Sequence, residues 1–325
     1  MAEALLEVTD LSVDYLTEAG DVRAVDQVSF TVAPGEFLGI VGESGCGKST
    51  LLFGVAQLLS PPGEVTGGAV IFRGSDMVRL GREELRHMRW RDYSVVMQSA
   101  MNALNPMKSI GAQFKDTLQA HGDPSADEIR RRSTEVMSLV GIDAAHLGSY
   151  PHQLSGGMRQ RAMIAMALLY TPQLVIMDEP TSALDVVAQR SLMSKIRELQ
   201  RSLGFAIIFV THDMSVVSRY SDRVMVMYAG QVAEAARTES IFAEPLHPYT
   251  RGLMGAFPSV TGPRRELVGI PGSPPDLLHP PRGCRFHSRC PAVMPACLEH
   301  APDLYPLGDA RVRCLLYAEQ AKEAV

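Results

Sequence analysis

The sequence lacks a strong excess of charge, a long hydrophobic run and an abundance of cysteine. Its 325 residues carry 31 Lys and Arg against 36 Asp and Glu, so there is no overall basic surface of the kind that binds nucleic acid. The longest apolar stretch, Ala162–Tyr170, is closely followed by Pro172 and falls far short of the ~20 residues that cross a bilayer. We therefore expect no nucleic-acid partner and no membrane-spanning segment.

The N-terminal residues and the cysteines exclude two further features. The first residues, Met1–Glu7, contain acids and no basic segment, so we do not expect a secretory signal. Disulfides are a poor explanation for five cysteines in a chain without an export signal. There is no tandem repeat, and the length suffices for one large α/β domain with a smaller addition.

A glycine-rich segment is the strongest signal in the chain. Gly42–Thr50 fits the pattern G-x-x-x-x-G-K-S/T, between a predicted buried strand, Phe37–Val41, and a predicted helix, Leu51–Leu59. Glycines let successive backbone N–H groups point at a phosphate, and the helix N-terminus adds partial positive charge. We predict a nucleotide site in which Lys48 contacts the β- and γ-phosphates and the Ser49 hydroxyl binds Mg²⁺.

Hydrophobic patterns predict two kinds of sheet. Val25–Val32 and Gly67–Arg73 alternate, as strands of a half-exposed antiparallel sheet do. Leu174–Met177, Ala206–Val210 and Val224–Tyr228 are apolar on both faces, which is typical of parallel strands covered by helices.

Helical spacing and a change in composition complete the outline. Asp127–Val140 predicts an amphipathic helix closed by Gly141. After about Glu234, proline, glycine and arginine become frequent, so we expect a loop-rich addition from there onward.

Two acids end one of the predicted parallel strands. Asp178 and Glu179 would lie at the edge where α/β folds bind ligands. Asp178 suits Mg²⁺, and Glu179 suits orienting and deprotonating an attacking water, worth about 10²–10⁴-fold in rate. A solvated turn is the alternative for such a pair taken alone.

A second phosphate-binding pattern lies upstream of these acids. Leu154–Arg161 places Ser155 and two glycines at the start of a predicted helix that continues through Ala162–Tyr170, with Ser155 as a candidate N-cap. One ATP does not need two such sites in one subunit. A head-to-tail dimer, in which each subunit's second site closes over the other's nucleotide, would use both.

Six motifs together resemble those of the ATP-binding cassette (ABC) ATPases between about Leu5 and Glu234. They are similar, in order, to the Walker A, Q-loop, signature, Walker B, D-loop and H-loop segments: Gly42–Thr50, Gln98, Leu154–Arg161, Asp178–Glu179, Ser182–Asp185 and Thr211–Asp213. The resemblance implies an α/β fold, an ABC-type P-loop ATPase with a RecA-like core, an antiparallel β subdomain and a helical subdomain. The implied ATPase domain spans 1–235, its helical part about 99–165, and a loop-rich, cysteine-containing C-terminal extension spans 236–325.

The resemblance also implies roles for single residues. Tyr15 would stack on adenine (a half-buried strand tyrosine is the alternative), Gln98 would touch Mg²⁺ and the attacking water and relay to the membrane partner, and Asp185 would lie at the dimer interface. His212 would hold the γ-phosphate, and with Glu179 and Gln98 it forms the implied catalytic set; a core histidine is the alternative. The implied ATP contacts and Mg²⁺ ligands are Gly42, Ser44, Gly45, Cys46 (without a role for its side chain), Gly47, Lys48, Ser49, Thr50, Gln98 and Asp178, with Ser155, Gly156 and Gly157 contacting the partner's ATP.

Four further segments are similar to the ATPases of dipeptide and oligopeptide importers: Ala103–Pro106, Asp178–Val186, Met227–Gly230 and His247–Leu253. That group also contains nickel and oligosaccharide importers, and the sequence does not separate these substrates. The implied protein is a peripheral subunit on the cytoplasmic face of the membrane. Its implied partners are two transmembrane permease subunits, a second ATPase subunit (a copy or a paralogue) and an extracellular substrate-binding protein.

A rival function is a soluble ABC ATPase of DNA repair or translation. Repair members carry a coiled coil or zinc insert between the phosphate loop and the signature, and Lys48–Ser155 has neither. Translation members carry two cassettes in one chain, whereas this chain has one.

Four cysteines lie near the C-terminus with the spacing C-x5-C-x6-C-x16-C: Cys284, Cys290, Cys297 and Cys314. Structural zinc usually shows tighter C-x2–4-C pairs, whereas iron–sulfur clusters permit wider spacing. The segment also resembles the C-terminal extension of peptide-importer ATPases, which favours a [4Fe–4S] cluster. Zinc, or unliganded buried thiols, are the alternatives, and nearby histidines such as His287 and His300 are expected to be surface residues.

Overall fold

The computed structural model describes residues 3–98, 103–182, 184–256 and 269–323. Residues 99–102, between Gln98 and Ala103–Pro106, and Ala183 of Ser182–Asp185 lie outside the described residues. The backbone forms two compact units. One consists mainly of Val32–Phe37 and Arg79–Phe209, and the other of Ala4–Thr31, Leu38–Val78 and the chain from Val210 onward.

Strands and helices follow one another along the chain in small groups. Their order is β1 (Leu6–Thr17), β2 (Gly20–Val32), β3 (Phe37–Val41), α1 (Lys48–Val55), β4 (Gly63–Phe72), β5 (Ser75–Asp76), α2 (Arg82–Met88), β6 (Tyr93–Val96), α3 (Ile110–Gln119), α4 (Ala126–Leu139), α5 (Gly156–Ala167), β7 (Leu174–Asp178), α6 (Val186–Leu203), β8 (Ala206–Val210), α7 (Met214–Tyr220), β9 (Arg223–Tyr228), β10 (Gln231–Arg237), α8 (Thr238–Ala243), α9 (Pro248–Gly255), α10 (Ala296–Glu299), β11 (Tyr305–Leu307), β12 (Ala310–Val312) and α11 (Ala318–Glu323). Within the described ranges, no helix combines the length and the apolar character needed to cross a membrane.

The unit that contains the phosphate loop holds two sheet regions. The first has the strand order β2-β1-β4-β5, with β1 antiparallel to β4, so the antiparallel prediction is confirmed for Gly67–Arg73. The second runs β11-β12-β10-β9-β3. Strand β3 is parallel to β9, with Ile40 opposite Met225, and β10 and β12 continue antiparallel from β9.

In the other unit the strand order is β8-β7-β6, and β6 is parallel to β7 with Val95 opposite Ile176. Every residue of β7 and β8 is buried, as predicted for strands that are covered on both faces. Asp178 therefore lies at the end of a buried strand whose other residues are all apolar.

The predicted helices form, with some boundaries displaced: α5, for example, ends at Ala167 rather than at Tyr170. Helix α4 is capped by the Ser125 hydroxyl and followed by Gly141 at φ 73°, as the pattern predicts. Helix α1 begins at Lys48 and ends at Val55, four residues before the predicted end at Leu59. The reason is local: Gln57 adopts a left-handed backbone (φ 53°), which a helix cannot continue through.

The loop-rich region begins later than predicted. Strand β10 continues past Glu234, and α8 and α9 follow before the loops. Apolar residues of this region join the core around β3 and β9, since Ile241, Tyr249, Phe286 and Val41 are buried in one hydrophobic cluster. The extension thus packs into the same core as the strand that leads to the phosphate loop, and hydrophobic burial stabilises both together.

Candidate functional site

The phosphate loop has a backbone that only glycine tolerates at two positions. Gly42 has φ 155° and Gly47 φ 98°. A Cβ at Gly42 would lie 2.3 Å from the Met227 carbonyl oxygen, and one at Gly47 would lie 2.2 Å from that of Ala24. Both distances are far below van der Waals contact, so the spacing of these glycines follows from close backbone packing as well as from the turn.

Lys48 is held inside the loop. Its side chain is buried, and Nζ donates to the carbonyl oxygens of Gly42 at 2.8 Å and Glu43 at 2.9 Å. Gly47, the N-cap of α1, offers no side chain to the first N–H groups of the helix. A buried cation and uncapped helix N–H groups at one turn form an anion-binding site of the kind that phosphates occupy.

Tyr15 and Cys46, both predicted near the nucleotide, lie in different environments. The Tyr15 hydroxyl shares a 3.2 Å hydrogen bond with the Thr50 hydroxyl, which places the half-buried ring of β1 beside the start of α1. The Cys46 thiol is buried, and burial raises its pKa. A raised pKa makes a cysteine less reactive as a thiolate.

The acids after β7 belong to the other unit. The Gln98 side-chain amide donates to Glu179 Oε2 at 2.9 Å, so the structure brings these two candidate residues together. Glu179 has a left-handed backbone (φ 43°), and the Ser182 N–H donates to its carbonyl oxygen at 3.2 Å. Such a conformation in a non-glycine residue costs about 1–3 kcal/mol and is concentrated at functional sites.

His212 lies on a tight turn next to β3. The Thr211 N–H donates to the Ile40 carbonyl oxygen at 3.1 Å, and the Asp213 N–H donates to the Thr211 hydroxyl at 3.0 Å. Asp213 then caps α7 through Ser215. His212 itself is exposed, so the alternative of a buried core histidine is wrong.

The second predicted anion site is an exposed helix start. The Ser155 hydroxyl accepts from the Met158 N–H at 3.2 Å and caps the 12-residue α5, which confirms the predicted N-cap. A Cβ at Gly157 would meet nothing within 4 Å, so this face is open. Asp185 caps α6 through the Ala188 N–H at 2.8 Å.

Three residues at the phosphate loop, Glu43, Tyr249 and Arg289, are not among the predicted site residues. The Glu43 N–H donates to the Tyr249 hydroxyl at 2.9 Å. Arg289 binds the Glu43 carboxylate with both terminal nitrogens, at 2.8 and 3.0 Å. No local pattern marks these contacts, because Arg289 is 246 residues from Glu43 in sequence.

The start of the segment His247–Leu253 is fixed by two hydrogen bonds of the His247 ring. His247 Nδ1 accepts from the Tyr249 N–H at 3.0 Å, and its Nε2 lies 3.1 Å from the Arg313 carbonyl oxygen. A backbone N–H only donates, so Nδ1 carries no proton and Nε2 is the donor. Burial lowers the pKa of His247 to about 4. The neutral imidazole caps α9, with Pro248 at its first turn, and directs Tyr249 toward Glu43.

The four C-terminal cysteines and Cys46 are free thiols in the structure. Burial, with smaller electrostatic contributions from the thiols of Cys284, Cys290 and Cys297, raises the pKa of Cys314 to about 11. Among the described residues, no group of three or more His, Cys, Asp or Glu side chains is arranged to hold a metal ion.

Comparisons with known proteins show the family of the chain. The family described as ABC transporter matches residues 25–182, and the family described as oligopeptide/dipeptide transporter, C-terminal region, matches 233–297. The dipeptide transport ATP-binding protein DppD of Caldanaerobacter subterraneus subsp. tengcongensis is 42% identical over 318 residues, 97% of this chain and 98% of the relative. The oligopeptide transport ATP-binding protein OppD of Salmonella typhimurium is 43% identical over 314 residues, 96% of this chain and 93% of the relative.

A solved structure gives the same result for the fold. The dimeric structure of MJ0796, a bacterial ABC transporter cassette, matches with a TM-score of 0.65 and 28% identity, over 72% of this chain and 98% of that one. The predicted fold class is thereby confirmed. The chain belongs to the ABC transporter family, among the dipeptide and oligopeptide transport ATP-binding proteins.

Proposed function

We propose that this protein is the ATP-hydrolysing motor subunit of a multi-subunit importer of dipeptides or oligopeptides. The observation that carries the proposal is the similarity to peptide-transport ATP-binding proteins over nearly the whole chain, including the C-terminal region. We further propose an ATPase domain over 1–235, with its helical part about 99–165, and an extension over 236–325.

The proposed chemistry is hydrolysis of ATP with Mg²⁺. Lys48 would bind the β- and γ-phosphates, and Tyr15 would stack on adenine. The buried Lys48 ammonium, already turned into its loop, supports that role. When bound, Mg²⁺ neutralises phosphate charge, and Ser49, Gln98 and Asp178 are its proposed ligands.

Glu179 is the proposed general base. Its carboxylate accepts a hydrogen bond from the Gln98 amide. A carboxylate held in this way can accept a proton from water, as a general base does. His212 is proposed to contact the γ-phosphate, supported by its exposure on a turn fixed against β3.

A head-to-tail dimer is proposed to complete each ATP site. The capped, exposed N-terminus of α5 supports a role for Ser155, Gly156 and Gly157 on the partner's ATP. Next to Asp185, Val186 is 64% and Val187 78% exposed. Two exposed valines in succession on one helix start are typical of a surface that a partner covers.

The membrane partners are proposed to contact the region around Pro106. Met107 is 83% exposed there, while its neighbour Asn105 is anchored by its N–H to the Gln113 side chain at 2.8 Å. An anchored turn that exposes an apolar side chain supports contact with two transmembrane permease subunits. The subunit would then be peripheral, on the cytoplasmic face, and work with an extracellular substrate-binding protein.

Reconstitution tests the substrate. The chain, its two membrane subunits and the cognate binding protein are placed in proteoliposomes, and ATP hydrolysis is measured with the binding protein loaded with a dipeptide, an oligosaccharide or Ni²⁺. Stimulation by the peptide alone is expected. Stimulation by sugar or nickel alone would assign the same motor to one of those importers, and co-purification with ribosomes or DNA would favour the non-transport class.

We also propose that the cysteines hold a [4Fe–4S] cluster, with Zn²⁺ as the alternative ligand. Burial raises the pKa values of Cys284, Cys290 and Cys314, and neighbouring backbone N–H groups act in the opposite direction on each sulfur. Such N–H···S contacts stabilise cluster ligands. The cluster requires the sulfurs to draw together from their present arrangement.

Anaerobic purification tests this cofactor. Iron and sulfide are expected at four per chain, with a visible charge-transfer band that is lost in Cys290→Ser. A colourless sample with stoichiometric zinc would favour the alternative. A sample without either metal would leave the four residues as buried thiols.

A further inference from the structure

We propose that Arg289 of the C-terminal extension is a positioning residue for ATP binding, because it neutralises and fixes Glu43 inside the phosphate loop. The inference rests on the proposed function, since it concerns affinity for ATP. Arg289 does not touch the nucleotide in this proposal; it acts through Glu43.

The pairing is a two-point one. Arg289 Nη1 and Nη2 donate to the two Glu43 carboxylate oxygens at 2.8 and 3.0 Å, and the Arg289 side chain is only 5% exposed. Its Nε donates to the Pro271 carbonyl oxygen at 2.8 Å, and its guanidinium lies 5.7 Å from the centre of the Tyr228 ring. A guanidinium held on three sides has little freedom to leave the carboxylate.

Glu43 is bound at every polar group of its residue. Its N–H donates to Tyr249, its carbonyl oxygen accepts from Lys48 Nζ, and its carboxylate accepts from Arg289. Two of these three partners belong to the chain after residue 235. The conformation of the loop therefore depends on the extension.

Charge gives the pairing a second consequence. A carboxylate one residue after Gly42, in a loop that receives a triphosphate, repels that ligand when it is unpaired. It would also compete with the phosphates for Lys48, whose ammonium already bonds the Glu43 carbonyl oxygen. Arg289 cancels the charge, and burial protects the pair from screening by salt.

The test measures ATP affinity of the purified full-length chain in a Glu179→Gln background, with a fluorescent ATP analogue as the probe. We expect Arg289→Met to raise the Kd for ATP about tenfold, and the Kd for the corresponding ADP analogue less, because ADP carries less charge. Arg289→Lys keeps the charge but loses the two-point geometry, so it falls between. Adding Glu43→Gln to Arg289→Met removes the unpaired carboxylate and restores most of the lost affinity.

Arg313→Met is the matched control. Arg313 is a half-buried arginine that also stands immediately before a cysteine of the motif, but its guanidinium donates to the carbonyl oxygens of Val232 and Pro302 and, among the described residues, to none in the phosphate loop. We expect a lower melting temperature with an unchanged Kd for ATP. An equal loss of affinity in both variants would show that the extension acts only through overall stability, and would overturn the proposal.

Rescue by Glu43→Gln is the decisive outcome. Its absence overturns the proposal, and so does an Arg289→Met chain that binds ATP like its parent. If Arg289→Met does not fold, Arg289→Lys with and without Glu43→Gln gives the same comparison, and no rescue there overturns it equally. Failure of the Glu179→Gln parent to bind ATP would instead contradict the proposed function.

Discussion

The side-chain amide of Gln98 donates a 2.9 Å hydrogen bond to the carboxylate of Glu179, across 81 residues of sequence. Glu179 holds this position with a left-handed backbone, at φ 43°, directly after the buried strand end at Asp178. A strained residue persists only where its surroundings fix it, so the backbone that carries this carboxylate is held in place.

Glu179→Gln is expected to keep ATP binding and to lower ATP hydrolysis by about 10²–10⁴-fold, because an amide cannot take a proton from water. Phosphate release and binding of a fluorescent ATP analogue measure the two effects. ATP should then accumulate in a closed dimer, visible as a larger species in gel filtration.

Glu128→Gln is the control for this substitution, since Glu128 is an exposed residue at the start of α4 that bonds only Ser125 among the hydrogen bonds described for it. Its hydrolysis rate should match the unmodified chain. Hydrolysis by Glu179→Gln at the rate of the unmodified chain would remove Glu179 from the catalytic role.

Gly47→Ala and Gly45→Ala separate backbone strain from steric overlap in the phosphate loop. Both glycines have positive φ, 98° and 77°, so alanine costs about 1–2 kcal/mol of unfolding free energy at either position. Only at Gly47 does the new Cβ meet a neighbour, the Ala24 carbonyl oxygen at 2.2 Å; at Gly45 it meets nothing within 4 Å. Gly47→Ala should therefore lose about 1–3 kcal/mol more than Gly45→Ala.

Urea unfolding of both variants measures that difference, and ATP binding measures its functional consequence. The loop must shift at Gly47 to relieve the overlap, so ATP affinity should fall more for Gly47→Ala. Equal unfolding free energies would mean that the approach to Ala24 relaxes at no cost.

The stability of the fold should depend on pH through His247. Burial lowers its pKa in the folded protein to about 4, whereas an unfolded chain protonates its histidines near 6.5. Its contribution is fully present above pH 6.5 and is lost as the pH falls toward 4, because only the unfolded state gains the proton in that interval. The loss reaches about 3 kcal/mol at the lower end, since one unit of pKa corresponds to about 1.4 kcal/mol.

His247→Asn tests this, because asparagine retains the helix-capping acceptor without the titration. Melting temperatures between pH 7 and pH 4.5 should fall less steeply for the variant. Glu234, which accepts from the His247 N–H at 2.8 Å, has a pKa raised by burial and acts in the opposite direction in both proteins. Parallel pH curves would contradict a buried neutral His247.

Sequence reasoning succeeded where a motif is local. Gly47, Lys48 and Ser155 each depend on a few neighbours, so their turn, loop and cap were predictable from residue types. The early end of α1 was not, because nothing in the residue type of Gln57 requires a left-handed backbone.

Contacts between segments distant in sequence could not be predicted either. Arg289 and Glu43 are ordinary charged residues in their own segments, and only the packing of the extension into the core around β3 brings them together. The start of the loop-rich region was misjudged for a related reason. Pro245 and Pro248 suggested loops, whereas Pro248 occupies the first turn of a helix, where proline is favoured.

The exposed start of α6 offers a test of the proposed dimer. Val187 is 78% exposed beside the cap Asp185. Glu at this position suits the positive end of the helix dipole, so Val187→Glu should leave the fold intact. In an interface it would bury a charge and remove apolar contact, so ATP-dependent dimerisation of the Glu179→Gln chain should weaken at least about tenfold, a cost of about 1.4 kcal/mol or more.

Val293→Glu is the matched control, because Val293 is another exposed valine (48%), in the C-terminal extension. Analytical ultracentrifugation of both variants with ATP should show monomers for Val187→Glu and dimers for Val293→Glu. ATP binding to the single chain should be equal in the two. A dimer that survives Val187→Glu would place the interface elsewhere, and the exposed N-terminus of α5 would then need another explanation than a partner's nucleotide.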